Sequence, residues 1–252
     1  RVFYDMFDTA FPAATQIQRK QRKLVHKLDA LALSKPRTRF VFAIGHEVAS
    51  RLAETSGIEA KVLHPPLVLE RLHCAEFGDY VFLPGRLHPW KRVDLAIAAM
   101  GELRRPLRLV IAGTGEDEPR LRALAAGDDR IQFVGHVDDD ELAKLYANAL
   151  AVAFVPLRED YGYVSLEAFR SGKPVVTCRD SGEAALLVEH ERTGLVSVAS
   201  PGAVAAAFAR LDDDRKFAKQ LGLAGQARER TIRWEAIVDT LARAIDLRAR
   251  SS

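Results

Sequence analysis

The chain has 252 residues, of which 48% are hydrophobic and 28% charged, and its formal net charge is +3. This composition is typical of a globular protein, with enough material for a large domain and additional elements. The small charge gives no support for a nucleic-acid binder, whose basic residues should form a strong stripe. Cys74 and Cys178 lie far apart without a CxxC or metal-binding pattern, so we expect reduced thiols.

The apolar runs, at most about nine residues long, are too short to span a bilayer, and no stretch resembles a signal peptide. These features favour a cytoplasmic protein. The chain begins with Arg1, so we expect it to be a piece of a longer protein.

The first 67 residues contain one α/β unit but not a whole domain. Residues 15–33 have helical spacing, with an apolar stripe and basic residues around it. A strand at 39–45, a helix at 46–57 closed by Gly57, and a strand at 60–67 follow. The stripe consists of Ile17, Leu24, Leu28 and Leu31. Residues 68–77 then read as a linker.

From residue 78 to about 230, short apolar runs alternate with helical patterns. The predicted strands are 79–85, 107–115, 130–137, 150–157, 174–178 and 193–198. They are continuously apolar, which is typical of strands covered by helices on both faces. The sequence therefore predicts an α/β fold with a doubly wound parallel sheet, followed by a C-terminal helix within 231–252.

The loops that follow the strands are rich in glycine and charge, and in open α/β sheets ligands bind beyond the carboxyl ends of the strands. These loops are 85–92, 113–118, 135–139, 158–167 and 179–184. Their clustering at one edge of the sheet favours an anionic ligand.

In the first loop, Gly85 permits a sharp turn, and Arg86 and Lys91 follow within six residues. A guanidinium fork and a compact ammonium together suit a diphosphate, and would stabilise its charge if it were a leaving group. Two solvated surface cations are the alternative.

Gly113 lies in a "GTG" that resembles a dinucleotide fingerprint but lacks the third glycine. An NAD site is therefore not favoured. Close approach of the backbone to a ligand is the functional interpretation, and a simple tight turn is the alternative.

The stretch "REDYGYVSLEAFRSGKPVV", 158–176, places two carboxylates around a helix start. Glu167 is positioned to accept hydrogen bonds from vicinal hydroxyls, as on a ribose. The N–H groups of Val164 and Ser165 can bind phosphate, and Gly162 lets the chain pass close to a ligand. Glu159 could receive sugar hydroxyls or stabilise a developing cation. A surface acid and a favourable helix-terminal charge are the plain alternative.

Four motifs occur in order: "GRLHPWKRVDLAI", "VIAGTGEDEPRL", "IQFVGHVDDDELAKLYANA" and "EDYGYVSLEAFRSGKPVVT". Together they resemble the C-terminal, donor-binding domain of retaining glycosyltransferases of family 4, which have the GT-B fold. "RVFYDMF" and "AIGHEVASRL" are similar to the end of the N-terminal, acceptor domain in mannosyltransferase-like members. The resemblance implies domains at 1–67 (acceptor-domain remnant) and 78–230 (nucleotide-sugar binding).

The resemblance also implies site roles. Arg86 and Lys91 would hold the diphosphate, Glu159 and Glu167 would form the family's E-x7-E pair on the donor sugar and ribose, and Gly135 and His136 would lie near the base. No cofactor or metal is implied, and a GDP-sugar is favoured over a UDP-sugar. Ser181 departs from the family, in which a glycine is common, and no role is carried to that loop.

The expected reaction is transfer of a hexose, with mannose favoured, to a glycan or lipid-linked saccharide with retention of configuration. The basic helix near residues 17–31 suggests peripheral contact with anionic lipid, although a solvated face explains it more simply. A noncatalytic nucleotide-binding or nucleotide-sugar-binding module is the alternative function. No nucleic-acid partner is expected.

Overall fold

The computed structural model describes residues 7–33 and 40–249. The chain divides into two compact units, Arg1–Pro65 with Glu235–Ser252, and Pro66–Trp234. The described α-helices are α1 (Phe7–Ala10), α2 (Gln16–Ala32), α3 (His46–Ser56), α4 (Val93–Glu102), α5 (Glu118–Leu124), α6 (Asp139–Asn148), α7 (Tyr163–Arg170), α8 (Glu183–Leu187), α9 (Pro201–Asp213), α10 (Arg215–Glu229) and α11 (Trp234–Ala249). The described strands are β1 (Phe42–Ala43), β2 (Lys61–Val62), β3 (Tyr80–Pro84), β4 (Arg108–Ala112), β5 (Ile131–Gly135), β6 (Ala151–Ala153), β7 (Val175–Cys178) and β8 (Gly194–Ser197).

The smaller unit contains the expected β–α–β segment, in which β1 and β2 pair in parallel around α3. Gly57 ends α3 with φ of 62°, a left-handed conformation that glycine adopts without steric cost. Thr15 begins α2 in a capping box with Gln18. The parts of these sequence predictions that fall on residues 1–6, 39 and 250–252 lie outside the described residues.

The larger unit is built on a six-stranded parallel sheet with the order β5-β4-β3-β6-β7-β8. The chain builds outward from β3 through β4 to β5, then returns to the other side of β3 with β6. This confirms the predicted doubly wound sheet. The reversal places a crevice at the carboxyl ends of β3 and β6, where ligands bind in folds of this class.

Helices cover both faces of this sheet. Val81 and Leu83 of β3 pack into one apolar cluster with Ile97 and Met100 of α4. Phe82 packs into the other cluster, which α6 and α7 cover. Alternate residues of one strand therefore enter opposite layers, which explains why β3, β6 and β7 are continuously apolar. The prediction was wrong for the edge strand β5, in which Gln132 and Val134 are exposed.

The segment predicted as a linker, 68–77, belongs to the larger unit. Leu72 is buried in the cluster under α6 and α7, together with Leu67 just before it, so this segment packs as part of the unit. Cys74 is exposed and Cys178 is buried, and both are free thiols, as expected. Among the described residues, no helix combines the length and apolarity needed to cross a membrane.

Candidate functional site

A cleft of about 640 Å³ lies at the carboxyl ends of β3, β4 and β5. Apolar side chains and a few convergent polar groups line it, which is typical of small-molecule sites. The predicted site residues in its lining are Gly85, Arg86, Gly113, His136, Val164 and Glu167. Residues from four separate loops and helices therefore meet at this edge of the sheet.

The glycines after β4 are required by the close approach of two loops, and Gly85, after β3, by its positive φ. Gly85 and Gly113 have φ of 137° and 126°. A Cβ on Gly113 would lie 2.0 Å from the Gly85 carbonyl oxygen, and one on Gly115 would lie 2.1 Å from that of Leu87. The Gly113 N–H donates to the Gly135 carbonyl at 2.7 Å. The backbone that closely approaches the "GTG" segment is thus that of the loop after β3. Gly113 also lines the cleft.

Arg86 lies at the mouth of the cleft in a small network with two residues that the sequence did not single out. Its Nη2 is 3.1 Å from Glu116 Oε2, and His88 Nε2 is 3.2 Å from Glu116 Oε1. The Trp90 N–H donates to His88 Nδ1 at 3.1 Å, so Nε2 carries the proton of the neutral ring. A hydrogen bond to its own backbone N–H, together with Arg86, holds the pKa of Glu116 below its ordinary value.

Lys91 and Glu159 form an ion pair, with Lys91 Nζ 2.6 Å from Glu159 Oε2. Both side chains are largely buried, at 31% and 19% exposed, and Lys91 Nζ lies 5.4 Å from the centroid of the Phe154 ring. The structure therefore brings these two predicted residues into direct contact. Neither is in the lining of the cleft.

Glu167 is held by a buried tyrosine. The Tyr146 hydroxyl donates to Glu167 Oε2 at 2.5 Å, and Tyr146 is fully buried against Phe82, with ring centroids 5.0 Å apart. Burial raises the pKa of Glu167, and the Tyr146 hydrogen bond partly offsets that rise. No other hydrogen bond to this carboxylate is found in the described ranges, so its second oxygen is available to a ligand.

Gly162 is the N-cap of α7, the helix that carries Glu167, and its φ is 91°. A Cβ there would lie 2.9 Å from the Phe154 ring. The Ser165 N–H donates to the Gly162 carbonyl at 3.0 Å, because the first turn of α7 is tight. The Ser165 amide is therefore occupied, whereas Val164, the other residue of the predicted pair, lines the cleft.

A second cleft, of about 770 Å³, lies at the other end of α7. Arg170 and Glu229, which are ion-paired, line it together with parts of 72–74 and 226–233. It lies away from the carboxyl ends of the strands and contains no predicted site residue, so we assign the candidate site to the first cleft.

A family model described as "Glycosyl transferases group 1" matches residues 78–214, more than half of the chain. A D-inositol 3-phosphate glycosyltransferase of Acidothermus cellulolyticus is 34% identical over 176 residues, covering 62% of this chain and 39% of the relative. Another, of Salinispora tropica, is 30% identical over 207 residues, covering 76% and 42%. The chain thus spans about two fifths of the length of these curated relatives.

Solved structures share the fold. Anabaena HepE, in complex with UDP and glucose, aligns with a TM-score of 0.76 at 20% identity, covering 86% of this chain and 66% of HepE. Sucrose-phosphate synthase from Thermosynechococcus elongatus aligns with a TM-score of 0.79 at 21% identity, covering 96% and 65%. At these identities the likeness establishes the architecture, which is the predicted GT-B-type α/β fold.

Proposed function

The chain belongs to the glycosyl transferases of group 1, and we propose that its larger unit binds the nucleoside diphosphate sugar from which the sugar is transferred. The observation that carries the proposal is the meeting of Arg86, Val164 and Glu167 in one cleft at the sheet edge. Arg86 offers a cation and Val164 a helix-start amide, which suit the phosphates of a nucleotide. Glu167 offers a carboxylate, which suits the hydroxyls of its ribose.

In this proposal, the diphosphate lies between Arg86, Lys91 and the Val164 amide. The bond to the sugar breaks with the electron pair going to the diphosphate oxygen, so negative charge grows there. Fixed cations nearby stabilise that charge more in the transition state than in the bound donor. Glu167 accepts the ribose hydroxyls, and the base lies near His136.

Glu159 is proposed to lie beside the donor sugar. Its ion pair with Lys91 places a carboxylate next to a cation at the end of the β6 loop. This arrangement supports a reaction in which the sugar, while it carries positive charge, is stabilised on one side and the diphosphate on the other. Retention of configuration is proposed from the sequence resemblance, together with catalysis by these cations in place of a metal.

The sequence resemblance and the solved structures favour different bases for the donor nucleotide. The sequence resemblance favours GDP-mannose, whereas HepE was solved with UDP and with UDP-glucose. We propose that the donor is a hexose nucleotide of one of these two bases.

For the acceptor, we propose a hydroxyl of a glycan, a lipid-linked saccharide or a phosphorylated polyol. The names of the curated relatives, D-inositol 3-phosphate glycosyltransferases, support the last of these. Acceptor choice is a property of the whole protein.

Nucleotide binding can be measured on this chain by calorimetry and thermal shift with UDP, GDP, ADP and NAD. We expect UDP or GDP to bind and to raise the melting temperature. Arg86→Ala and Lys91→Ala should each weaken that binding roughly 10- to 100-fold, because each removes charge-assisted hydrogen bonds to phosphate. The same changes should lower turnover in the full-length protein.

Lys144→Ala is the control, because Lys144 is an exposed cation of α6 that pairs with Glu141. Binding of NAD but of no nucleoside diphosphate would contradict the proposal. So would equal affinities for the two site variants and the control.

We further propose peripheral contact of α2 with anionic lipid. Ile17, Leu24 and Leu28 are more than half exposed, and Lys20 and Lys23 are exposed on the same helix, as in helices that lie in a membrane interface. Vesicles containing phosphatidylserine should therefore bind the protein more tightly than neutral vesicles. Equal binding to both would favour a solvated face.

A further inference from the structure

Arg92 combines an unusual backbone conformation with a side chain that makes several hydrogen bonds. It stands between the short 3-10 turn Pro89–Lys91 and α4, with φ of 50° and ψ of 42°. A residue with a Cβ rarely adopts this left-handed conformation, and does so where the surroundings hold it there. Its side chain is only 18% exposed.

The guanidinium of Arg92 joins three loops. Its Nε donates to the Val155 carbonyl and its Nη2 to the Pro156 carbonyl, both at 2.8 Å. It also forks onto both oxygens of Asp180, at 2.7 Å each, and Nη2 lies 3.5 Å from Ser181 Oγ. The loops after β3, β6 and β7 are thereby tied to one planar group.

The same loops carry the proposed catalytic pair. Lys91 precedes Arg92 directly, and Glu159 follows the two carbonyls that Arg92 holds. The Leu157 N–H donates to the Trp90 carbonyl at 2.8 Å, and the Glu159 N–H donates to the Ser181 carbonyl at 3.1 Å. The segment that ends in Glu159 is therefore anchored on both sides by loops that Arg92 also holds.

We propose that Arg92 is a positioning residue, which with Asp180 fixes the loop after β6 so that Glu159 and Lys91 meet beside the donor diphosphate. This inference rests on the proposed function and extends it to residues outside the cleft. Arginine is needed because its planar fork reaches a carboxylate and two carbonyls at once, whereas the ammonium of lysine is a single point donor.

An arginine that only stabilises the fold would make the same kinds of contact, and the larger unit contains such an arginine for comparison. Arg130 forks onto Asp128 and donates to the carbonyls of Met100, Leu103 and Arg105. It directly precedes β5, and so lies at the amino-terminal end of that strand, whereas the cleft lies at the carboxyl ends of the strands. Arg130→Lys and Asp128→Asn are therefore matched controls for Arg92→Lys and Asp180→Asn.

The experiment compares these four variants in the full-length protein. Turnover is followed as release of UDP from UDP-glucose or of GDP from GDP-mannose, and melting temperature is measured alongside. Arg92→Lys and Asp180→Asn should lower kcat roughly 10- to 100-fold, since small misplacements of catalytic groups cost rates of this order. The donor KM should rise by a smaller factor than kcat falls, because Arg86, Val164 and Glu167, which line the cleft, are not held by Arg92.

Arg130→Lys and Asp128→Asn should lower the melting temperature to a similar extent but leave kcat within about threefold of wild type. Equal losses of kcat in both pairs, or unchanged kcat for the Arg92 and Asp180 variants, would overturn the inference. If Arg92→Lys does not fold, Asp180→Asn decides by the same criterion. A wild-type protein that neither binds nor turns over either donor would instead overturn the proposed function.

Discussion

At the scale of single residues, Glu167 is a helix-start carboxylate that lines the proposed donor cleft. The Tyr146 hydroxyl fixes one of its oxygens, and burial raises its pKa. The sequence predicts a ligand-binding role for this carboxylate because it stands at the start of a helix after a buried strand. It does not single out Tyr146, because a tyrosine at an apolar position of an amphipathic helix is usually a core residue, and its partner is 21 residues away.

Glu167→Gln should weaken nucleotide binding roughly 10- to 100-fold, because an amide cannot accept from two ribose hydroxyls as a carboxylate does. Calorimetry with UDP and GDP measures the loss. Glu141→Gln, an exposed carboxylate of α6, is the control and should bind as wild type does.

Although Glu167→Gln should weaken nucleotide binding, it should not lower the free energy of unfolding. Because the folded pKa of Glu167 is raised above the ordinary value of 4.5, the folded chain binds this proton more tightly than the unfolded chain. Stability from this group is present below that ordinary value and is lost as pH rises through the raised pKa. Glu167→Gln should therefore be at least as stable as wild type at about pH 8, with the difference shrinking towards about pH 4. A large loss of stability at the higher pH would show that the carboxylate supports the fold.

At the scale of elements, the site depends on how closely the loops after β3 and β4 approach. The strands themselves could be predicted, because continuous apolar runs between helical patterns indicate covered parallel strands. The contact between Gly115 and Leu87 could not, because it depends on the register between β3 and β4, which only the folded sheet defines. Glu116 was overlooked for the same reason, although it lies in a loop at the predicted edge.

Gly115→Ala should force these two loops apart, since the added Cβ would lie 2.1 Å from the Leu87 carbonyl oxygen. We expect a loss of about 1–3 kcal/mol in the free energy of unfolding. Nucleotide affinity should also fall, because Arg86 lies on the displaced loop. Chemical denaturation and calorimetry measure the two effects.

Gly101→Ala is the matched control, since nothing lies within 4 Å of a Cβ at this exposed position of α4. It should be neutral, or stabilise by about 0.5–1 kcal/mol, because alanine is the better helix former. Equal behaviour of the two variants would mean that the loops can separate without cost.

At the scale of the whole molecule, the sequence predicted that the loops after the strands act together, because the carboxyl ends of parallel strands share one edge. It did not predict the order of the strands, which places β3 beside β6 and brings the loop of Lys91 to that of Glu159. Nor did it predict that the Arg92 side chain joins the loops after β3, β6 and β7, because in sequence Arg92 is one more basic residue before a helix.

The chain spans about two fifths of its curated relatives, and this bears on the alternative of a noncatalytic nucleotide-binding module. Both alternatives require the donor cleft, so binding alone does not separate them. Transfer by the full-length protein, and its loss in the Lys91→Ala variant, separate an enzyme from a binding module.

The reversal of strand order also determines when the site can form during folding. Lys91 and Glu159 are 68 residues apart in the chain, and Arg92 and Asp180 are 88 apart. Such distant contacts form only after long loops have closed, and contacts of this kind slow folding. The two halves of the sheet must therefore join at β3 and β6 before these pairs can meet, so we expect binding at the proposed site to report on the completed sheet rather than on its separate α/β units.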